Sequence, residues 1–570
     1  MERIWLSHYP PGIPAEVNVH EFASLRDLLL RSCHRFGALP AFSNMGVSMS
    51  YAELERSSRN FAAYLQKSLG LHKGDRVAIM MPNLLQYPVA LFGVLRAGLV
   101  VVNVNPQYTP PELEHQLKDS GAAAIVVLEN FAHTLQKVLD KSPTLKLAVI
   151  TTEVGDMFPV VKKLLTNFVV KNVKHMVPAW EISGATKFDA ALRAGRRQLV
   201  EDVPLSHDDI ACLQYTGGTT GVAKGAVLTH GNLVANVQQM GAWMARDLVD
   251  GSEIFVCSLP LYHVYALTSS LVFMRVGANT VLVTNPRDMH ALIHDFKKYP
   301  FTVIIAVNTL YRALLDAPEF AEVDTCTLKI TSAGGMAVQR VVAERWKLRT
   351  GVNIIEGYGL TETSPVVIAN PMDIAEWDGT IGMPIPSTQA IILDESDNEL
   401  AVGEVGEISV RGPQVMREYW NRPDETEKVF TRDGWLRTGD MGFMDERGHF
   451  RITDRKKDII VVPGFKVFPN QVEDVVALHP GVAEVGAIGF RDDKSGEVVK
   501  IVVVKMDPAL SEQDLLEHCR QHLTGYKVPK IVEFRSEPLP KSNVGKVLRR
   551  QLRETPAPDS AVPTVGTPAA

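Results

Sequence analysis

The sequence predicts an α/β protein: a large N-terminal domain of parallel-rich sheets covered by helices, followed by a small α+β domain. Two observations predict it. Short Val- and Ile-rich runs alternate with segments of helical periodicity, and alternating β and α units build parallel sheets flanked by helices. Near Asp454 the texture changes, where the charged knot Asp454-Arg455-Lys456-Lys457-Asp458 precedes a stretch with its own strands and helix.

Taken in order, the apolar stretch from Pro88 to Val104 is broken by Arg96 and Gly98. It falls short of the ~20 residues of a membrane span and reads as a buried helix and strand. The runs AAAIVVL from Ala122, IACLQ from Ile210, EIFVCSL from Glu253, NTVLV from Asn279 and TVIIAV from Thr302 read as strands. After IACLQ a glycine-rich strand-to-helix turn leads to a helical segment beginning near Thr229. The segment AVQRVVAERWKLRTG reads as a helix stopped by Gly351. Beyond Asp458, AEVGAIGF, VVKIVVVK and IVEF read as strands and SEQDLLEHCRQHL as a helix, while the Pro-, Ala- and Thr-rich end predicts a disordered tail. The expected division is 1–453, a hinge at 454–457, a small domain at 458–553 and a tail at 554–570.

Composition narrows the function classes. A chain of 570 residues exceeds what one hydrophobic core sustains. With 46% hydrophobic and 22% charged residues it reads as globular, and a net charge of −6 gives no electrostatic case for nucleic acid. Five scattered cysteines without a C-x-x-C pair argue against a disulfide framework and a zinc site. The opening MERIWLSHYPPGIP lacks an apolar core and cleavage site, so a cytoplasmic setting is expected. Lys162, Lys163, Lys171 and Lys174 lie among apolar residues, a pattern that fits either a solvated helix face or contact with a membrane surface.

The strongest chemical signal is Tyr215-Thr216-Gly217-Gly218-Thr219-Thr220-Gly221-Val-Ala-Lys224-Gly225. Glycines there let backbone N–H groups curl around phosphate oxygens, and the hydroxyls and Lys224 add donors and charge. It is not a Walker A loop, because Lys224 sits between Ala223 and Gly225. In α/β sheets such turns lie beyond the carboxyl ends of strands, where ligands bind.

This string resembles the phosphate loop of the adenylate-forming superfamily of acyl-CoA synthetases, peptide-synthetase adenylation domains and firefly-type luciferases. Six further segments match in order: Leu259-Pro-Leu-Tyr-His263, Ser332-Ala-Gly-Gly-Met336, Glu356-Gly-Tyr-Gly-Leu-Thr-Glu362-Thr, Trp435-Leu-Arg-Thr-Gly-Asp440, Asp454-Arg455-Lys456-Lys457 and Pro540-Lys-Ser-Asn-Val-Gly-Lys546. The wording of MPNLLQYPVALFGVLRAG, ELEHQLKDSGA, TNPRD and LTGYKVPK is similar to that of bacterial long-chain-fatty-acid–CoA ligases.

The resemblance implies the adenylate-forming fold and activation of a fatty acid by ATP, with Mg2+, followed by transfer to coenzyme A. A medium-chain, aryl or other acid is the alternative substrate. A protein that binds nucleotide or lipid without catalysis is the alternative class. The implied catalytic residues are Lys546, Lys224, Glu362 and His263, the last either polarising substrate, gating the acyl pocket or merely packing. Nucleotide contacts are implied for Tyr215 to Gly221, Lys224, Gly334, Gly335, Glu356, Gly357, Tyr358, Gly359, Thr361, Asp440 and Arg455, with Asp440 on the ribose hydroxyls. Thr219 and Glu362 fall at the metal position. Lys457 falls at the hinge, and Gly464 and Phe465 on the CoA path, where Pro463 replaces the usual serine. The basic run from Lys541 to Arg553 suits either CoA phosphates or solvent. Val237, Met240 and Trp243, at helical spacing, border either a fatty-acid tunnel or ordinary core. Peripheral contact with the inner face of a membrane and a homodimer are further partners left open.

Overall fold

The computed structural model describes residues 3–216, 223–462, 465–492, 496–541 and 547–554. Gly217 to Gly221, Gly464, Lys546 and the expected tail from Thr555 lie outside the described residues. Two compact units divide the chain. The first comprises Met1–Glu404, Ser409–Thr438 and Met444–Arg451, and the second Val405–Ile408, Gly439–Phe443 and the residues from Ile452 onward. Asp440 therefore belongs to the second unit.

The first unit holds a nine-stranded and a seven-stranded sheet. The larger runs Met383–Pro384, Val366–Ala369, Ile354–Gly359, Ile330–Ala333, Val303–Ala306, Ile254–Cys257, Asn279–Leu282, Pro40–Asn44 and Val47–Ser50 in spatial order. From Ile354–Gly359 to Pro40–Asn44 its neighbours pair parallel, and antiparallel strands close both edges. Parallel strands covered on both faces must be apolar throughout, and Ile254–Cys257, Asn279–Leu282 and Val303–Ala306 are almost wholly buried. Pro88 to Val104 forms the expected pair, within helix Gln86–Arg96 and strand Val100–Asn103.

The seven-stranded sheet runs Thr186–Lys187, Ala148–Thr152, Ala122–Leu128, Arg76–Met80, Val100–Asn103, Ile210–Thr216 and Lys224–Thr229. All neighbours pair parallel except the last two, which are antiparallel with Thr216 opposite Lys224. This corrects the expected strand-to-helix turn. The glycine-rich segment joins two strands of one ladder, and the helix follows only after the second. That helix, His230–Trp243, is capped by Thr229, whose hydroxyl accepts the Asn232 N–H at 3.1 Å. The expected helix before Gly351 spans Arg340–Thr350, and Gly351 takes the left-handed conformation with φ 77° that spares a side chain strain.

The second unit contains the antiparallel pair Ile460–Val462 and Phe465–Val467. Its main sheet orders Val482–Asp492, Gly496–Lys505 and Ile531–Arg535, the first pair antiparallel and the second parallel. Helices Pro469–Ala477 and Glu512–His522 supply Val472, Val476, Leu515 and Cys519 to a core with Ile501 and Val503. A short helix, Arg549–Glu554, follows.

Candidate active site

The flanks of the glycine-rich segment are fastened to helix Pro110–Ser120. The Tyr215 hydroxyl donates to Asp119 Oδ2 at 2.7 Å, and burial together with that carboxylate drives the phenol far above its usual range. His115 Nε2 donates to the Ala223 carbonyl oxygen at 3.0 Å. Gly225 keeps this approach close, because a Cβ would stand 3.1 Å from the Tyr215 ring and press on it. Thr216, opposite Lys224, is half-buried.

Lys224 opens its strand with the ammonium ion-paired to Glu425 and 5.1 Å from the centre of the Tyr419 ring. The Tyr419 hydroxyl donates to Glu362 Oε1 at 2.6 Å. Glu362 Oε2 has no protein partner among the described residues. The strand Lys224–Thr229 is stitched to the segment bearing Tyr419: Trp420 N–H donates to Gly225 O at 2.7 Å and Val227 N–H to Glu418 O at 2.9 Å. Backbone hydrogen bonds thus bring Lys224, Tyr419 and Glu362 together. Glu425 gains its carboxylate charge readily, its pKa held down to about 2 by hydrogen bonds from Lys224 and Lys428.

Strand Ile354–Gly359 and the turn Thr361–Thr363 carry the next cluster. Thr361 is half-buried and Tyr358 is 8% exposed. The Glu356 carboxylate is already engaged, accepting the Trp377 indole N–H at 2.7 Å and the Val338 N–H at 3.2 Å. It therefore braces the turn after Gly334 and Gly335, while the Glu356 backbone N–H donates to Asn370 Oδ1 at 3.1 Å. Gly334 admits no side chain, since a Cβ would lie 2.8 Å from the Tyr265 ring, while Gly335 at φ 82° faces open space. At Gly359 a Cβ would collide with the Pro365 carbonyl.

His263 caps helix Val264–Arg275, its Nδ1 accepting the Tyr265 N–H at 3.3 Å. Burial pushes the imidazole from 6.5 down to about 4. It is therefore neutral near pH 7, and because Nδ1 accepts, the proton resides on Nε2.

A slender cavity of about 40 Å3 lies in the first unit. Met240, Met244, Ser269, Val272, Ile355 and Val366 line it, together with Tyr265, Ser332 and Gly357 from the neighbourhood of the glycine turn. Of the three residues expected at an acyl pocket, Met240 lines this cavity. Val237 and Trp243 do not line the cavity: Val237 is fully buried and the Trp243 indole donates to Asn370 O at 3.0 Å. The helix is buried on nearly every side, so its spacing alone could not tell cavity face from core face.

In the second unit, Arg455 Nε lies 3.3 Å from Asp440 Oδ1. Lys457 has its pKa lowered, first by burial and then by Arg455. Phe465 is 53% exposed and stacks on Tyr526 at 4.3 Å. Arg549, one of the basic run expected to face CoA phosphates or solvent, is instead buried and bonds Asp454 at 3.1 Å and Glu473 at 2.8 Å. It anchors the helix three residues beyond Lys546 to the first residue of the expected hinge. Tyr419, Glu425 and Asp119 were also missed. The only sequence cue near Tyr419 is an aromatic pair before the turn Asn421-Arg-Pro, where Asn421 takes a positive φ of 53°.

Comparison with known proteins shows the family. The model of the AMP-binding enzyme family matches residues 29–420, and that of the AMP-binding enzyme C-terminal domain matches residues 471–546. A long-chain-fatty-acid–CoA ligase of Escherichia coli O157:H7 is 55% identical over 555 residues, 97% of this chain and 98% of that protein. One from Haemophilus influenzae is 50% identical over 558 residues, with 97% and 98% covered. The crystal structure of the anthranilate CoA ligase AuaEII in complex with anthranoyl-AMP superposes with a TM-score of 0.81 at 24% identity, covering 94% of this chain and 98% of that one. With both family models matched in sequence order and the fold reproduced, the chain belongs to the family of AMP-binding enzymes.

Proposed function

We propose that the protein is an AMP-forming long-chain-fatty-acid–CoA ligase. A fatty carboxylate attacks the α-phosphate of ATP, giving acyl-AMP and pyrophosphate. The thiol of CoA then takes the acyl group and releases AMP. The observation that carries the reading is identity of 55% to such a ligase along 97% of the chain, and the slender cavity lined by apolar side chains suits an extended acyl chain.

The chemistry accounts for the residues. Two anions must meet in the first step, which demands fixed positive charge and oriented donors. Lys224 supplies charge from the start of a strand, and Lys546 is assigned the second cation. ATP phosphates displace Glu425 from Lys224. Mg2+ favours one or two carboxylates plus substrate phosphates, and Glu362, steadied at Oε1 by Tyr419 with Oε2 left over, fits that pattern; Thr219 is its assigned companion. When bound, the metal neutralises phosphate charge. His263 offers Nε2–H as a neutral donor. Gly334, Gly335, Gly357 and Tyr358 are assigned to the adenine wall, and Asp440 and Arg455 to the ribose side. The second half-reaction is assigned to a reorientation about Lys457 that brings Gly464 and Phe465 to the pantetheine path.

The domain limits proposed from the motifs are 1–453 and 458–553. Among the described residues no helix is long and apolar enough to cross a membrane. The proposal includes a cytoplasmic enzyme in peripheral contact with the inner membrane face, where its amphiphilic substrate partitions, and accommodates a homodimer.

The test is incubation with ATP, Mg2+, CoA and acids of graded length. AMP and acyl-CoA appearing together, fastest with long chains, are expected. AMP without thioester overturns the acceptor, and fastest turnover of short or aryl acids overturns the chain-length assignment.

A further inference from the structure

Helix Val160–Phe168 lies on the first unit with its amphipathicity reversed. An ordinary surface helix turns its apolar stripe inward. Here the polar side is bonded to the protein. Lys163 pairs with Asp156 at 2.8 Å and with Asp189, and Asn167, one turn on, accepts the Gly155 N–H at 2.8 Å and donates to Glu153 Oε2 at 2.9 Å. The apolar side faces solvent, with Val160 73%, Val161 80%, Leu164 65%, Leu165 62% and Phe168 57% exposed. The chain continues as a wider π-helical turn, Val169–Val173, and Val173 and Met176 are exposed as well. Seven of the 20 exposed large apolar side chains among the described residues fall in these few turns. Met45, also exposed, adjoins them, since Lys162 bonds its carbonyl oxygen.

Apolar side chains so concentrated mark a surface that is covered in use. The charge pattern says by what. Between Met157 and Trp180 stand four lysines and no Asp or Glu, in a chain whose net charge is −6. An exposed apolar helix face flanked by lysines and free of acids is complementary to an anionic lipid surface.

We propose that Val160–Met176 docks the enzyme on anionic phospholipid bilayers, with Leu164, Leu165 and Phe168 entering the acyl boundary and Lys171 and Lys174 at the headgroups. This deepens the membrane contact of the preceding reading. Binding is scored without ATP, CoA or acid, so failure of the ligase assignment and failure of this one are separately visible.

The experiment is co-sedimentation of the full chain with vesicles of phosphatidylglycerol mixed with phosphatidylcholine, and with phosphatidylcholine alone. The wild type is expected to bind the anionic vesicles, more weakly as salt rises. The triple change Leu164→Ser, Leu165→Ser, Phe168→Ser should weaken binding about a hundredfold, given the apolar area withdrawn. Lys171→Glu with Lys174→Glu should weaken it about tenfold or more on anionic vesicles only. Both variants alter exposed residues, so their thermal midpoints and turnover of a short, soluble acid should match the wild type. Wild-type protein that stays in the supernatant, or a triple variant that sediments as well as the wild type, overturns the proposal. So does a concentration-dependent dimer that the triple change dissociates, which would make the face a self-association surface.

Discussion

Ser269→Phe should shorten the range of acids the enzyme accepts. Ser269 lines the cavity from helix Val264–Arg275 and is 8% exposed. A phenyl in place of its hydroxyl adds about five heavy atoms to a channel that is already slender. It displaces about four methylenes of an acyl chain at ~0.8 kcal/mol each, ~3 kcal/mol or about two-hundredfold in kcat/KM. Acids too short to reach Ser269 lose nothing, because their contacts lie nearer the reacting carboxylate. The assay is kcat/KM for a series of saturated acids, read from acyl-CoA formation, with the thermal midpoint as a check on folding. The expected profile is unchanged for short chains and breaks sharply beyond one length. A uniform loss across all lengths, or no loss at the longest, refutes the assignment of this cavity to the acyl chain.

Three further outcomes are expected. His230 is 1% exposed, its Nδ1 accepts the Leu25 N–H at 3.2 Å, and burial pushes it from 6.5 down to about 4. The unfolded chain binds a proton in that window that the folded chain excludes, so this contribution to stability is complete above pH 6.5 and is lost as pH falls, at ~1.4 kcal/mol per unit. His230→Asn should lessen, without abolishing, the fall of the thermal midpoint between pH 6.5 and 4, since buried His263 is lowered alike, and an unaltered slope contradicts it. Glu425→Gln should lower the KM for ATP by no more than about fivefold, since a half-exposed ion pair is weak, and an unchanged or raised KM removes Glu425 as the competitor for Lys224. Arg549→Met strands Asp454 and Glu473 without their cation and should cost ~3–5 kcal/mol in urea denaturation, whereas a loss under ~1 kcal/mol would place the network among ordinary surface pairs.

Much of the architecture was legible because buried parallel strands are continuous apolar runs and helices carry a 3.6-residue period. AAAIVVL, TVIIAV and the helix stopped by Gly351 lie where expected. Strand Lys224–Thr229 was not legible. It abuts its helix without a break, and its partner on one side is a strand across a glycine-rich segment whose composition reads as a turn. Lys224 meets Glu425 across 201 residues, and no local pattern encodes an encounter set by sheet order. The reversed helix at Val160–Phe168 shows a related limit. Its two faces can be read from spacing, but which face looks outward depends on Asp156 and Asp189, acids on other elements.

The ladder between Gly225 and Trp420 also constrains how this chain can change length. Facing strands alternate sides with every residue, so one residue gained or lost between Arg417 and Tyr419 would turn the phenol away from Glu362 while leaving every backbone bond available to re-form. The fold would survive and the site would not. Insertions at a loop such as Asp394–Asn398, where Asp397 already sits at φ 66°, carry no such penalty. Relatives that keep this chemistry are therefore free to lengthen elsewhere but are held to a fixed residue count along this edge, a silent requirement imposed by hydrogen-bond parity rather than by any side chain.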